Sequence, residues 1–345
     1  MAQNLALFTF NNRANTAFSI TGWYVDTDIA VNTLAGNDNI SGIGGTSDSN
    51  SYVNNVGIYN AGTINTGTGN DSTTGSGSTV GIYNFGVIDT DAGNDNINGK
   101  GSGNGAFAIG NYGTFNTGTG NDSITGVTTN NGVGVYSTFG TINTGSGNDT
   151  ITGISTGSGI SSTDTLLFNI GIFNDEFTID TGTGNDIISG TGNYGISNTG
   201  TINTGAGNDI IIGMSTGAGN GFIGGGIVET SGVSGIYNTG TINTGTGNDT
   251  VSAIVGGFSG DGLIDLGTGN DTLIGFGVGN FHGGNGIDKI LFSEGIYVIS
   301  GSTINSGGAS MNVSQLERIG GVNGGVFGYA IGIVTVNADG VASFA

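Results

Sequence analysis

The sequence predicts an all-β protein, a parallel β-helix or β-roll solenoid of about ten rungs, capped at both ends. Three observations predict it. Glycine supplies 75 of 345 residues and proline none, and each glycine in a long helix would cost about 1 kcal/mol relative to alanine. A five-residue core, Gly-x-Gly-Asn-Asp, recurs along the chain. Apolar residues flank that core nine positions apart, as in Ile88 and Ile97, Phe115 and Ile124, Ile142 and Ile151, Ile179 and Ile188, Ile202 and Ile211. Each unit therefore reads strand, six-residue turn, strand. Collagen is excluded because the glycines keep no three-residue period with proline. A disordered linker is excluded by 35% hydrophobic residues in register with the glycines.

The turn ends at Asp71, Asp122, Asp149, Asp186, Asp209, Asp249 and Asp271 in full copies. Looser copies end at Asp38, where Leu34 takes the first glycine position, and at Asp95, where Asp91 does. A tenth copy runs from Gly283 to Ile290 and places its acid at Asp288. Before most copies stands Gly-Ile-Tyr-Asn-x-Gly-Thr-Ile-Asn-Thr, as at 57–66, 81–90, 195–204 and 235–244. The length variation falls in Gly/Ser/Thr-rich inserts such as 153–169 and 213–234, which a solenoid can project outward without disturbing its stack. In each three-residue strand the middle residue faces in, so Ile58, Ile64, Ile82, Ile88, Ile142, Ile202, Ile236 and Ile242 form inner files. Thr63, Thr141, Thr201 and Thr241, with Asn65, Asn143, Asn203 and Asn243, face out. The chain divides into an N-terminal cap at 1–33, carrying Phe8, Phe10, Phe18, Trp23 and Tyr24, the repeat solenoid at 34–292, and a C-terminal segment at 293–345 with a helical turn around 313–318.

Charge narrows the partners. With four Lys/Arg against 25 Asp/Glu the formal charge is −21, and Arg13, Lys100, Lys289 and Arg318 make no basic stripe for nucleic acid or an anionic membrane. Cations are the better ligands. The chain lacks cysteine, and no apolar stretch is long enough to span a bilayer. The first twenty residues do not read as a Sec-type signal peptide.

The turn carries the chemistry. Two glycines free to take positive φ aim backbone carbonyls and an aspartate to one side, the hard oxygen set that Ca²⁺ takes six to eight at a time. Carboxylates stacked at the ~4.8 Å rung spacing would repel by roughly 3–4 kcal/mol per adjacent pair at an effective dielectric near 20. Calcium is the expected cofactor, most strongly from Asp249 through Asp288, where the turns lie closest in sequence. The alternative is that Asp and Asn serve only as turn and ladder residues, an alternative that gains weight before Asp186 and Asp249, where the unit spacing is longest.

These residues resemble the repeats-in-toxin (RTX) family. Gly283 to Leu291 fits its nonapeptide, and the other nine copies match from the second glycine or later. The resemblance implies a parallel β-roll, Ca²⁺ held by the first six residues of each repeat, and type I export directed by an uncleaved C-terminal segment. It implies as ligands Asp38, Asp71, Asp95, Asp122, Asp149, Asp186, Asp209, Asp249, Asp271 and Asp288. With them go the glycine carbonyls of Gly67 and Gly69, Gly118 and Gly120, Gly145 and Gly147, Gly182 and Gly184, Gly205 and Gly207, Gly245 and Gly247, Gly267 and Gly269, Gly284 and Gly286. The chain departs from the family in having Thr for the first glycine of most copies and one motif per rung. One calcium file along a single edge is therefore expected, with the opposite turn, Asn-x-Gly, free of metal.

No enzyme is expected. His282 stands alone, and Asp175/Glu176 or Asp261 and Asp265 have simpler readings as solvated turns or further calcium ligands than as acid/base pairs. The expected function is a secreted, calcium-binding structural protein of the cell surface that assembles with itself into a filament, sheath or S-layer-like array, or mediates adhesion. Exposed apolar residues in the inserts, Leu166, Leu167, Phe168, Phe222 and Ile223, would dock, and open rungs would stack end to end. Partners are further copies and cell-surface glycans, with no nucleic acid and no membrane span. The alternative is a calcium-dependent ice-binding solenoid, whose turn this one resembles, with Thr68, Thr119, Thr183, Thr246 and Thr268 in an outward file interrupted by Ala35, Ala92, Ala206, Ser146 and Asn285.

Overall fold

The computed structural model describes residues 3–5, 10–44, 55–157, 169–217 and 233–345. Three parallel sheets wrap one apolar axis. Each rung runs through sheet A, for example Val56–Asn60, turns at Asn-x-Gly into sheet C (Thr63–Asn65), and passes through Gly-x-Gly-Asn-Asp into sheet B (Ser72–Gly77). Among the described residues sheets A, B and C hold 10, 13 and 15 strands.

The inner files stack without slippage. Ile64, Ile88, Phe115, Ile142, Ile179, Ile202, Ile242 and Ile264 pair in order through sheet C. Ile58, Ile82, Ile109, Val135, Ile172, Ile196 and Ile236 do the same through sheet A. All are buried, as the alternation in the sequence requires. Each isoleucine contributes about 1.5–3 kcal/mol by leaving water. A one-residue slip would turn a whole file out to solvent, which fixes the register.

Glycine also acts inside the strands. A Cβ on Gly99 of sheet B would stand 2.1 Å from the carbonyl oxygen of Ala108 in sheet A, and Gly75, Gly126, Gly153, Gly190 and Gly213 occupy the equivalent register. Sheets A and B close against each other along this line only because no side chain intervenes. The glycine excess thus includes a close-approach seam besides the turns and inserts.

The ends differ from the middle. Thr16–Ser19, Trp23–Val25 and Ala30–Asn32 already pair in parallel with the first repeat strands. Trp23 is fully buried and Phe10 packs at the core's edge, whereas Phe18 is exposed; Phe8 lies outside the described residues. Beyond Phe292 the chain turns antiparallel: Gly295–Ser300, Thr303–Ser306 and Ala309–Ser314 form a meander in sheet C, extended by Gly332–Val336 and Ala342–Phe344. Arg318–Gly321 continues sheet B in parallel and then folds back on Gly324–Gly328. Residues 313–318 are a strand end, a bend and a strand start, with no helical turn. Met311 and Val313 join the same core, and Phe292 stacks on Tyr297 at 4.0 Å between ring centroids.

Candidate metal centre

The turn between sheets C and B adopts one conformation in every copy. In the second repeat Gly67 has φ 77° and Gly69 φ 143°, values that glycine accepts at little cost. Leu34 and Asp91, which replace the first glycine, are held at φ 75° and 64°. The stack imposes the turn even where the side chain opposes it.

The ten aspartates are brought into a single file. The backbone amide of Asp38 donates to Oδ1 of Asp71 at 2.7 Å, Asp71 to Asp95 at 2.7 Å, and Asp95 to Asp122 at 2.8 Å. The relay continues through Asp149, Asp186, Asp209, Asp249 and Asp271 to Asp288 at 2.7–2.9 Å. The two widest sequence gaps, 37 residues before Asp186 and 40 before Asp249, leave no gap in the file. The additional residues fall between a sheet B strand and the next sheet A strand, away from this turn, so sequence spacing carries no information about rung spacing here.

Each aspartate is almost wholly buried, and its second oxygen, Oδ2, has no hydrogen-bond partner in any of the ten. Unpaired buried carboxylate oxygens are costly. Burial raises the carboxyl of Asp95 to about 7 and those of Asp149, Asp186 and Asp249 to about 6, with backbone amides and a Thr hydroxyl pulling partly back. Asp271 is likewise raised to about 7 by burial, and Asp71, Asp122, Asp209 and Asp288 move in the same direction for the same reason.

The glycine carbonyls divide into two classes. Those of the first glycines are used in the ladder: Gly118, Gly145, Gly182 and Gly205 accept from the x-residue amides of Ser146, Thr183, Ala206 and Thr246 at 2.8–3.0 Å. The second-glycine carbonyls of Gly69, Gly93, Gly120, Gly147, Gly184 and Gly207 point at the second glycine of the next rung, where an added Cβ would come within 1.4–1.6 Å. Among the described residues no three His, Cys, Asp or Glu side chains converge on one point. A cation held here would draw on one carboxylate per rung and on carbonyl oxygens, the mixed hard set that suits Ca²⁺. The orphaned Oδ2 atoms and the glycine cradle fit such an ion.

Three further groups belong to this edge and were not singled out from the sequence. The side-chain and backbone amides of Asn15 cap Oδ1 of Asp38 at 2.8 and 2.6 Å. Glu317 Oε2 accepts from the amide of Asp288 at 2.8 Å and ends the file. The shared pattern of Asp288-Lys289-Ile290 and Glu317-Arg318-Ile319 was the available signal, with Lys289 and Arg318 in register. The last turn is shorter, and the longer glutamate reaches back across it. A buried threonine file stands behind the acids, in which the hydroxyls of Thr33, Thr117, Thr204 and Thr244 donate to the carbonyl one rung on at 2.8–3.2 Å.

The opposite corner carries a neutral ladder. The amide of Asn60 donates to Oδ1 of Asn84 at 2.8 Å, Asn84 to Asn111 at 3.0 Å, Asn174 to Asn198 at 2.8 Å and Asn198 to Asn238 at 2.7 Å. The same amides also reach backbone carbonyls. Of the acids weighed as pairs, Asp265 instead bonds His282 Nδ1 at 2.9 Å, and Asp175 accepts from Tyr136 and Thr138. The insert residues Leu166, Leu167, Phe168, Phe222 and Ile223 lie outside the described residues.

The chain is similar in structure to a hyperactive, Ca²⁺-dependent, β-helical antifreeze protein from an Antarctic bacterium, with 22% identity over 83% of this chain and 75% of that one and a TM-score of 0.46. At that identity and score the likeness carries no argument about what this chain binds. No protein-family model and no curated protein matches the chain.

Proposed function

We propose that this chain is a calcium-folded, non-catalytic β-solenoid that acts outside the cell by presenting ordered faces to another surface, as a structural or adhesive component. The observation that carries the metal is the file of ten buried Oδ2 atoms without partners. Calcium bound along the edge would neutralise the file and link each rung to the next, while the second-glycine carbonyls and aspartates of adjacent turns hold it. Export is the corollary, because millimolar Ca²⁺ is an extracellular condition. No membrane-crossing helix is present among the described residues. The strands after Phe292 extend sheets B and C beyond the last rung, and association with further copies would run along the sides of the coil or through the remaining sheet edges.

Far-UV circular dichroism and melting in EDTA against millimolar Ca²⁺ test the metal. Unchanged spectra and melting temperature would remove the calcium reading. Electron microscopy of the calcium-loaded protein tests assembly, for which regular sheets or bundles are expected.

A second reading, ice binding, rests on the outer edge of the same turns. The x residues form one continuous line of parallel bridges from Ala35 to Thr268. Beside them, Asn70, Asn94, Asn121, Asn148, Asn185, Asn208, Asn248 and Asn270 are exposed, each with its backbone N–H donating to the preceding asparagine's Oδ1. Such an array offers hydroxyl and amide groups at a fixed repeat. Thermal hysteresis from monodisperse rods, lost on replacing Thr119 and Thr183 by lysine, would favour this reading over assembly.

A further inference from the structure

A ridge of aromatic rings runs along the outer side of sheet A and its corner with sheet C. Tyr24, Tyr59 and Tyr83 share one register, as do Tyr136 and Phe173 farther along. Between them the register position is Gly110, and Tyr112 fills the gap from the adjoining turn. Ring centroids follow one another at 6.2 Å from Tyr24 to Tyr59 and 6.0 Å to Tyr83. The steps continue at 5.3 Å to Tyr112, 5.9 Å to Tyr136 and 5.3 Å to Phe173. Phe85 stacks on Tyr112 at 4.9 Å and stays 41% exposed; Phe139, at the same corner, is 74% exposed. Packing among themselves accounts for the half-buried tyrosines, not for phenylalanines left in water at the crest.

The charges beside the ridge select its partner. None of the chain's four cations stands on it: Lys100, Lys289 and Arg318 lie in sheet B, and Arg13 lies against the first aspartate turn at Gly36. The flanking charges are carboxylates. Asp26 lies close enough to Tyr24 to raise its phenol, and Asp175 accepts from Tyr136 at 3.4 Å and Thr138 at 3.2 Å. Burial raises the phenols of Tyr83, Tyr112 and Tyr136 further above their ordinary value, so they are neutral hydrogen-bond donors and acceptors. A polyanion is repelled here. A polymer of neutral sugar rings fits, because its apolar ring faces stack on aromatic rings and its hydroxyls donate to carboxylates.

We infer that the aromatic ridge from Tyr24 to Tyr136, backed at its far end by the buried Phe173, is a binding platform for an extended neutral polysaccharide lying along the coil axis. Its accessible length, five rungs from Tyr24 to Tyr136, suits a chain that advances about one sugar per rung. The inference rests on the reading of this protein as one that binds another surface, and it names the chemistry of that surface.

Affinity electrophoresis of the calcium-loaded full chain through native gels containing hydroxyethyl cellulose, a mixed-linkage β-glucan or alginate tests it. Retardation is expected in the two neutral polymers and not in alginate. The pair of substitutions Phe85→Ser and Phe139→Ser, both at exposed positions, should weaken retardation by about tenfold with circular dichroism and melting unchanged. Tyr112→Ala, which opens the centre of the ridge, should abolish it. Retardation by alginate alone, no retardation by either neutral polymer, or retardation untouched by the Phe pair overturns the inference. So does a Phe pair whose only effect is to dissolve self-association in sedimentation, which assigns the ridge to a second copy. Calcium-dependent folding is read from the same samples by circular dichroism, so failure of the metal reading is seen separately.

Discussion

The two polar corners that flank sheet C solve one packing problem in opposite ways. Both must turn the chain sharply once per rung while burying polar side chains. The asparagine corner does so with a neutral group that is donor and acceptor at once, so Asn60, Asn84 and Asn111 satisfy one another along the axis. An ionised aspartate accepts only. In the acid file the backbone amide fills Oδ1 and leaves Oδ2 empty-handed from Asp38 to Asp288. A buried ladder of acceptors is incomplete without a cation, whereas a ladder of amides closes on itself except at Asn174, whose Oδ1 lacks a donor where Ser137 stands in the preceding rung.

Removing calcium should break this comparison most. EDTA is expected to lower the melting temperature by tens of degrees, since several linked sites contribute binding free energy to the folded state. Gly207→Ala should come next. Its Cβ would stand 1.5 Å from the Gly184 carbonyl at a φ of 146°, and a loss of more than about 4 kcal/mol is expected by chemical denaturation with or without calcium.

Two ladder substitutions sharpen the contrast. Asn198→Ala should cost about 1–3 kcal/mol in both calcium and EDTA, because it removes an acceptor of the Asn174 amide and leaves the buried Oδ1 of Asn238 without its donor. Asp209→Asn should change sign between the two conditions. It weakens calcium-loaded protein, whose site loses a charge, and stabilises metal-free protein, whose file loses a buried one. Parallel melts of the two variants in each buffer read the difference directly.

The smallest effect is on pH dependence. Without metal, the carboxyls of Asp95 and Asp271 titrate at about 7 and those of Asp149, Asp186 and Asp249 at about 6 in the folded chain, all above the ordinary 3.8. The folded state holds protons that the unfolded chain has released, so metal-free stability should fall as pH rises from about 4 and level off near 7. Calcium affinity should rise over the same interval. A melting temperature in EDTA that rises from pH 4 to pH 7 would contradict the burial of the file.

Much of this architecture was legible in the residues. The nine-position spacing of Ile142 and Ile151, or Ile202 and Ile211, placed the strands, and the ten recurring acids placed the edge. What the sequence hid lay outside the repeat's own grammar. Glu317 sits in a shortened turn without any glycine motif. Asn15 precedes the first copy. Gly99 and its equivalents read as loosely distributed glycine until sheets A and B are seen to meet there. The aromatic ridge was hidden because Tyr83 and Tyr112 lie 29 residues apart in the chain and 5.3 Å apart between ring centroids.

The sequence by itself determined the rung: its inward isoleucines, its turn and the acid at a fixed place in that turn, all consequences of side-chain alternation and glycine's backbone freedom within a dozen residues. Only the tertiary structure decided what the stack makes of them. Register between rungs is set by burial of whole files, and it is that register which aligns the carboxylates, leaves one oxygen of each unpaired, and lines up rings from distant segments along one face.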